Sequence, residues 1–96
     1  MGQQQAYQLI GQIIRKHLPE LGYKTFIFGS RAEGTHRKFS DVDVGILGPA
    51  SVPNKTKFDI EDELEESDIP YQVDVVDFAA VNDRFKRIAM SVTIPL

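Results

Sequence analysis

The chain has no cysteine. That excludes a disulfide framework and a zinc–thiolate site, and it fits a reducing, cytoplasmic setting. No apolar run approaches the roughly 20 residues of a membrane span, and Met1–Gln5 lacks the charged and apolar parts of a secretory leader. There is no surplus of positive charge either. Eleven lysines and arginines face fourteen aspartates and glutamates, a formal net charge of −3, so broad electrostatic binding to DNA or RNA is not expected. A polyanionic ligand must then be met locally and through metal ions. Internal repeats and low-complexity tracts are missing as well. Ninety-six residues leave no room for a second domain, and residues 1–96 are expected to form one. What is present is 42% apolar and 26% charged, an ordinary globular balance, and a chain of this length can bury about two-thirds of its unfolded surface.

Hydrophobic periodicity predicts a first helix from Ala6 to Leu18, with Ala6, Leu9, Ile10, Ile13, Ile14 and Leu18 on one stripe. Pro19 and Gly22 end it. His17 borders the stripe and is expected to be partly packed there rather than a ligand. Tyr23–Phe28 is a short β-rich run broken by Gly29. Ser30 is expected to cap a helical turn, with Glu33 three residues on and Gly34 cutting it short. Asp41–Leu47 makes a second strand, and Ala50–Lys57 a polar connection. A helix from Asn54 or Lys55 to Ser67 carries the thin stripe Phe58, Ile60 and Leu64. Six of the eight residues Asp59–Glu66 are acidic, which fits a solvated face better than a cation site built on Asp62 and Glu66. Tyr71–Val76 alternates as a third strand, with Val73 and Val75 on one face and Gln72, Asp74 and Val76 on the other. Asn82 or Asp83 caps a last helix ending at Met90. Val92–Leu96 is either a short edge strand or a partner-binding segment.

The chemistry concentrates between Phe26 and Leu47. Gly29-Ser30 follows an apolar run, ten residues intervene, and Asp41-Val42-Asp43 leads into the second strand. Side chains repeat every second residue along a strand, so Asp41 and Asp43 point to one face and Val42 and Val44 to the other. Two adjacent carboxylates repel each other, and a divalent cation turns that repulsion into attraction. Asp74 offers a third carboxylate on a later strand. Asp77 competes with it, but lies three residues on and hence on the opposite face.

The stretch GSRAEGTHRKFSDVDVGI, together with Asp74, resembles the signature of the nucleotidyltransferase superfamily that includes DNA polymerase beta. The short length and the form GSRAxG…R..SD.D are similar to the minimal nucleotidyltransferases, the antitoxin half of HEPN/MNT toxin–antitoxin pairs. The resemblance implies an α/β (α+β) fold, a small mixed β-sheet with helices mainly on one face. It also implies transfer of AMP from ATP to a hydroxyl, a tyrosine on a helical HEPN partner protein. In such a site Asp41 and Asp43 would bridge two Mg²⁺ ions and the triphosphate, and Asp74 would hold the ion beside the nucleophile. Gly29 would let the backbone approach the triphosphate, and Ser30 with the following amides would bind a terminal phosphate. Arg31 and Arg37 are candidate phosphate clamps. Ser40 is either part of the nucleotide site or a local turn serine orienting the aspartate loop. His36 and Lys38 are expected to be exposed loop residues.

The chain departs from the resemblance at Glu33, where many minimal nucleotidyltransferases carry a second arginine (GSRARG). A carboxylate near a triphosphate is unfavourable unless it points to solvent or pairs with Arg31 or Arg37. Two other functions stay open at this point. One is a non-catalytic antitoxin that blocks a HEPN partner by occlusion. The other is transfer to a small molecule, which normally needs a further acceptor-binding domain.

Overall fold

The computed structural model describes residues 1–18 and 22–96. Helix α1 (Gln3–His17) forms on the predicted stripe and buries Ala6, Tyr7, Ile10, Ile13 and Ile14. Leu18 is already extended, at φ −69° and ψ 133°, as a residue before proline must be. Pro19 itself, half of the predicted stop, lies outside the described residues. Strand β1 (Lys24–Phe28) leads into a single helical turn, α2 (Ser30–Glu33), and strand β2 (Val42–Leu47) follows after a loop. Helix α3 (Asn54–Glu66) then crosses over to strand β3 (Val73–Asp77), and helix α4 (Asp83–Ala89) leads to the short strand β4 (Ile94–Pro95).

The sheet order is β3-β2-β1-β4. β2 and β3 are parallel, which a two-residue turn cannot achieve, so α3 supplies the crossover. β1 is antiparallel to β2 and to β4. The tail therefore becomes the edge strand, with Ile94 opposite Ile27.

Each strand shows a different chemistry to each side. On one face Ile27, Val42, Val44, Ile46 and Val75 pack against Ile10, Ile13 and Ile14 of α1 and Ile60 and Leu64 of α3. On the other, Phe26, Phe28 and Phe78 form a second cluster with Ala89 and Met90. Phe78 meets Phe26 and Phe28 edge-on, with ring centroids 5.0 and 5.2 Å apart. Gly45 makes room for these rings: a Cβ there would fall 2.5 Å from Phe26 and 2.6 Å from Phe78. The mixed sheet with α1 and α3 on one face is the expected fold, and α4 partly covers the other.

Three expectations change. Phe58, expected in the apolar stripe of α3, is 66% exposed, and only Ile60 and Leu64 of that stripe are buried. Val52, inside the connection read as polar, is buried in the main core. Ser30 does not cap α2: Gly29 stands at that position and no side-chain cap bond forms. Asn82 does cap α4, its side chain accepting from the Phe85 amide at 2.8 Å. His17 is half-buried and shares Glu63 with Lys16, at 2.7 and 2.6 Å. Those hydrogen bonds, from Lys16 first and then His17, lower the Glu63 pKa and tie α1 to the acidic helix. Among the described residues, no helix is long and apolar enough to cross a membrane.

Candidate active site

Parallel register sets Asp43 beside Asp74 and Val44 beside Val75. Paired residues of adjacent strands point to the same face, with backbones about 4.8 Å apart. Because Val44 and Val75 enter the isoleucine-rich core, Asp43 and Asp74 project from the opposite face. Asp41, two residues before Asp43, falls on that same side. Asp41 and Asp74 are exposed and Asp43 is half-buried. Burial first, then the Asp74 carboxylate, then that of Asp41, raise the Asp43 pKa above its ordinary value. Two separate segments thus deliver three carboxylates to one patch. They share a field without closing into a cage, since no group of three His, Cys, Asp or Glu among the described residues has metal-ligating geometry.

Asp77 serves another purpose. It pairs in register with Ile46, on the core side, and accepts from the Val52 and Ala79 amides at 2.8 and 3.0 Å. It fastens the turn after β3.

Gly29 sits at φ +75°, a region that favours glycine. A Cβ there would lie 2.6 Å from Asp43 Oδ2, so bare backbone is what lets the turn and the carboxylate approach. Ser30, Arg31 and Ala32 are the first residues of α2, where helix geometry leaves amides without an intrahelical acceptor. Gly34, left-handed at φ +78°, ends the turn.

A family model described as polymerase beta nucleotidyltransferase matches residues 10–95. The chain belongs to that family. This nucleotidyltransferase is 29% identical over 84 residues to a probable protein adenylyltransferase, MntA, of Haemophilus influenzae, a match covering 88% of the chain and 72% of MntA. In fold it is similar to a toxin–antitoxin solved with AMP-PNP, with a TM-score of 0.74 and 21% identity over 94% of this chain and 70% of that one. It is also similar to a chain from a tri-AMPylated HEPN toxin of Shewanella oneidensis in complex with MNT antitoxin. There the TM-score is 0.74 and the identity 19%, over 98% and 71% of the two chains.

Within the nucleotidyltransferase fold, the polar residues around the carboxylates divide. Arg31, read as a phosphate clamp, is buried and its guanidinium is committed inside the protein. Nε and Nη2 donate to the Ser40 carbonyl at 3.1 and 2.7 Å, and Nη1 donates to the Tyr7 hydroxyl at 3.1 Å. Its plane lies over Tyr71, 4.0 Å from the ring centroid. Arg31 is therefore a strut beneath the site, and the clamp reading is corrected. Ser40 takes the local role: its hydroxyl accepts from the Arg37 amide at 2.8 Å while its carbonyl receives Arg31. The residue before Asp41 is held from both sides. Arg37 remains exposed on the loop. His36 is half-buried, not exposed as expected, while Lys38 is exposed. Tyr7 and Tyr71 were missed as members of this framework, because a tyrosine on a helix stripe or at a strand start carries no signal of an arginine arriving from elsewhere.

Proposed function

We propose that this nucleotidyltransferase moves AMP from ATP to a hydroxyl, a tyrosine, on a helical HEPN toxin, and so acts as the antitoxin of the pair. The observation that carries the reading is the register of Asp43 against Asp74, with Asp41 on the same face and the Gly29-Ser30 turn against Asp43. The likeness to MntA supports the choice of AMP and of a protein acceptor. The solved complexes to which the fold is similar support the choice of partner.

The residues suit Mg²⁺. The donor set is all carboxylate, the hard oxygen that Mg²⁺ prefers alongside substrate phosphates, and a glycine leaves the room a triphosphate needs. Asp41 and Asp43 would hold both ions together with the triphosphate, and Asp74 would help to hold the ion beside the nucleophile. Bound there, the pair would neutralise charge on the attacking and leaving oxygens of an in-line displacement. The protein's own part is mostly positioning. Amides following Gly29 receive a terminal phosphate, Arg37 approaches from the loop, and Arg31 fixes Ser40 so that Asp41 keeps its place. The acceptor oxygen forms its bond to the α-phosphorus on the Asp74 side and pyrophosphate departs on the Gly29 side, with the hydroxyl proton passing towards Asp74. A cytoplasmic setting, which supplies ATP and Mg²⁺, goes with this reading.

The test is to incubate the protein with its neighbour-encoded HEPN partner, ATP and Mg²⁺, and to weigh the partner. Mass increments of one or more AMP units are expected. The Asp43→Asn variant should slow their appearance by about a hundredfold or more, the scale of losing one transition-state charge stabiliser, while still binding the partner. A tight complex with an unmodified partner would instead establish inhibition by occlusion.

A further inference from the structure

Gly29 has the Asp43 carboxylate on one side and a groove on the other. The groove, about 230 Å³, is lined chiefly by Phe28, Glu33, Phe85, Ile88 and Val92. Its far wall is α4, which buries none of its residues. Phe85 remains 41% exposed and Ile88 63%, although the Phe85 ring meets Phe28 edge-on at 6.0 Å. Aromatic and aliphatic surface is thus left open immediately beside a turn whose other neighbour is a carboxylate. Such placement marks a ligand groove.

Charge decides which part of a ligand enters. Among the described residues lining the groove, Glu33 alone is charged, and it repels phosphate. A nucleoside triphosphate on this turn must lay its phosphates towards Asp43 and its uncharged end towards Phe28 and Phe85. Phe28 is paired with Asp43 in register, so groove and carboxylate are about one strand spacing apart, roughly 4.8 Å, a gap a ribose bridges. A carboxylate offers acceptors only, and the base edge facing Glu33 must donate.

We infer that this groove holds the nucleobase, packed against Phe85, with Glu33 accepting a hydrogen bond from the exocyclic amine of adenine. The inference rests on the nucleotidyl-transfer reading and adds to it the residues that choose the base. It also gives Glu33, out of place beside phosphates, a position where its charge is useful.

Calorimetric titration with Mg²⁺ and three ligands tests it: ATP, purine riboside 5′-triphosphate, which lacks the amine, and inorganic tripolyphosphate, which lacks the base. Phe85→Ala should weaken ATP by about 5- to 100-fold, the range for losing one base–aromatic contact. Its affinity for tripolyphosphate should not change, which also shows that the variant is folded. Wild type should prefer ATP over the purine analogue by about tenfold or more, and Glu33→Ala should erase that preference. If ATP binds both variants as it binds wild type, and the purine analogue binds no more weakly than ATP, the base is not in this groove while nucleotidyl transfer stands. If wild type binds neither ATP nor tripolyphosphate, the transfer reading fails and the groove assignment falls with it.

Discussion

At 3% exposure, the Arg31 guanidinium joins α1, α2, the loop before Asp41 and the stretch leading into β3 through Tyr7, Ser40 and Tyr71. Arg31→Ala would leave the Ser40 carbonyl without its charged donor and empty the space over Tyr71. A loss of about 2–4 kcal/mol is expected, read by urea unfolding without nucleotide. Arg31→Lys should recover little, because an ammonium lacks the planar fork that reaches Ser40 twice and stacks on a ring. A residue serving only to clamp phosphate would leave nucleotide-free stability unchanged. The sequence placed Arg31 beside the right turn, but its partners are distant in the chain and only folding brings them together. Gly29 was more legible, since a glycine between an apolar strand and a serine announces a special backbone. Gly29→Ala strains a backbone at φ +75° and ψ −151°, a conformation essentially confined to glycine, by about 1–3 kcal/mol, and thrusts a Cβ at Asp43 Oδ2. Transfer activity should therefore fall far more than melting temperature, as parallel activity and melting assays would show.

The elements followed from periodicity wherever one face is apolar and the other polar, as in α1 and in the alternation that sends Asp74 and Asp77 to opposite sides of β3. That alternation alone separates the two aspartates. It was not enough for β1, where Phe26, Ile27 and Phe28 are all buried; a strand covered on both faces has no polar beat to read. The aromatic cluster on the second face went unseen for that reason, and so did Phe78. In α3 the opposite error arose, because an exposed Phe58 mimics a core position while Val52 hides in a stretch rich in serine and proline. Gly45 records what the second face requires. Gly45→Ala would drive a methyl into the Phe26 and Phe78 rings, and overpacking of this sort costs typically about 1–3 kcal/mol. Chemical unfolding should show that loss. Since Gly45 follows Asp43 by two residues on one face, ATP affinity should drop with it.

For the molecule as a whole, a net charge of −3 and three convergent carboxylates make stability depend on pH and on metal. The Asp43 pKa is raised by burial, then by Asp74, then by Asp41. A raised carboxyl pKa means that the folded state holds this proton more tightly than the unfolded state does. The stability linked to it is complete below the ordinary aspartate value, about 3.9, and is lost as pH rises through the folded value. At pH 7, without metal, ionised Asp43 therefore works against the fold. Asp43→Asn should melt higher than wild type under those conditions, and the gap should close near pH 4. The rise should stay at or below about 4–8 °C, the shift that 1 kcal/mol gives a domain of this size, because solvent screens a half-open carboxylate. Mg²⁺ with ATP should reverse the order. A ligand selective for the native state adds RT ln(1 + [L]/Kd), about 2.7 kcal/mol at a hundredfold excess over Kd, and Asp43→Asn should gain much less. Thermal melts of both proteins at pH 4 and 7, with and without Mg²⁺ and ATP, check both signs. Wild type melting above Asp43→Asn at pH 7 without ligand would mean that the three carboxylates do not share one field, and equal gains on adding Mg²⁺ and ATP would move the metal site away from Asp43.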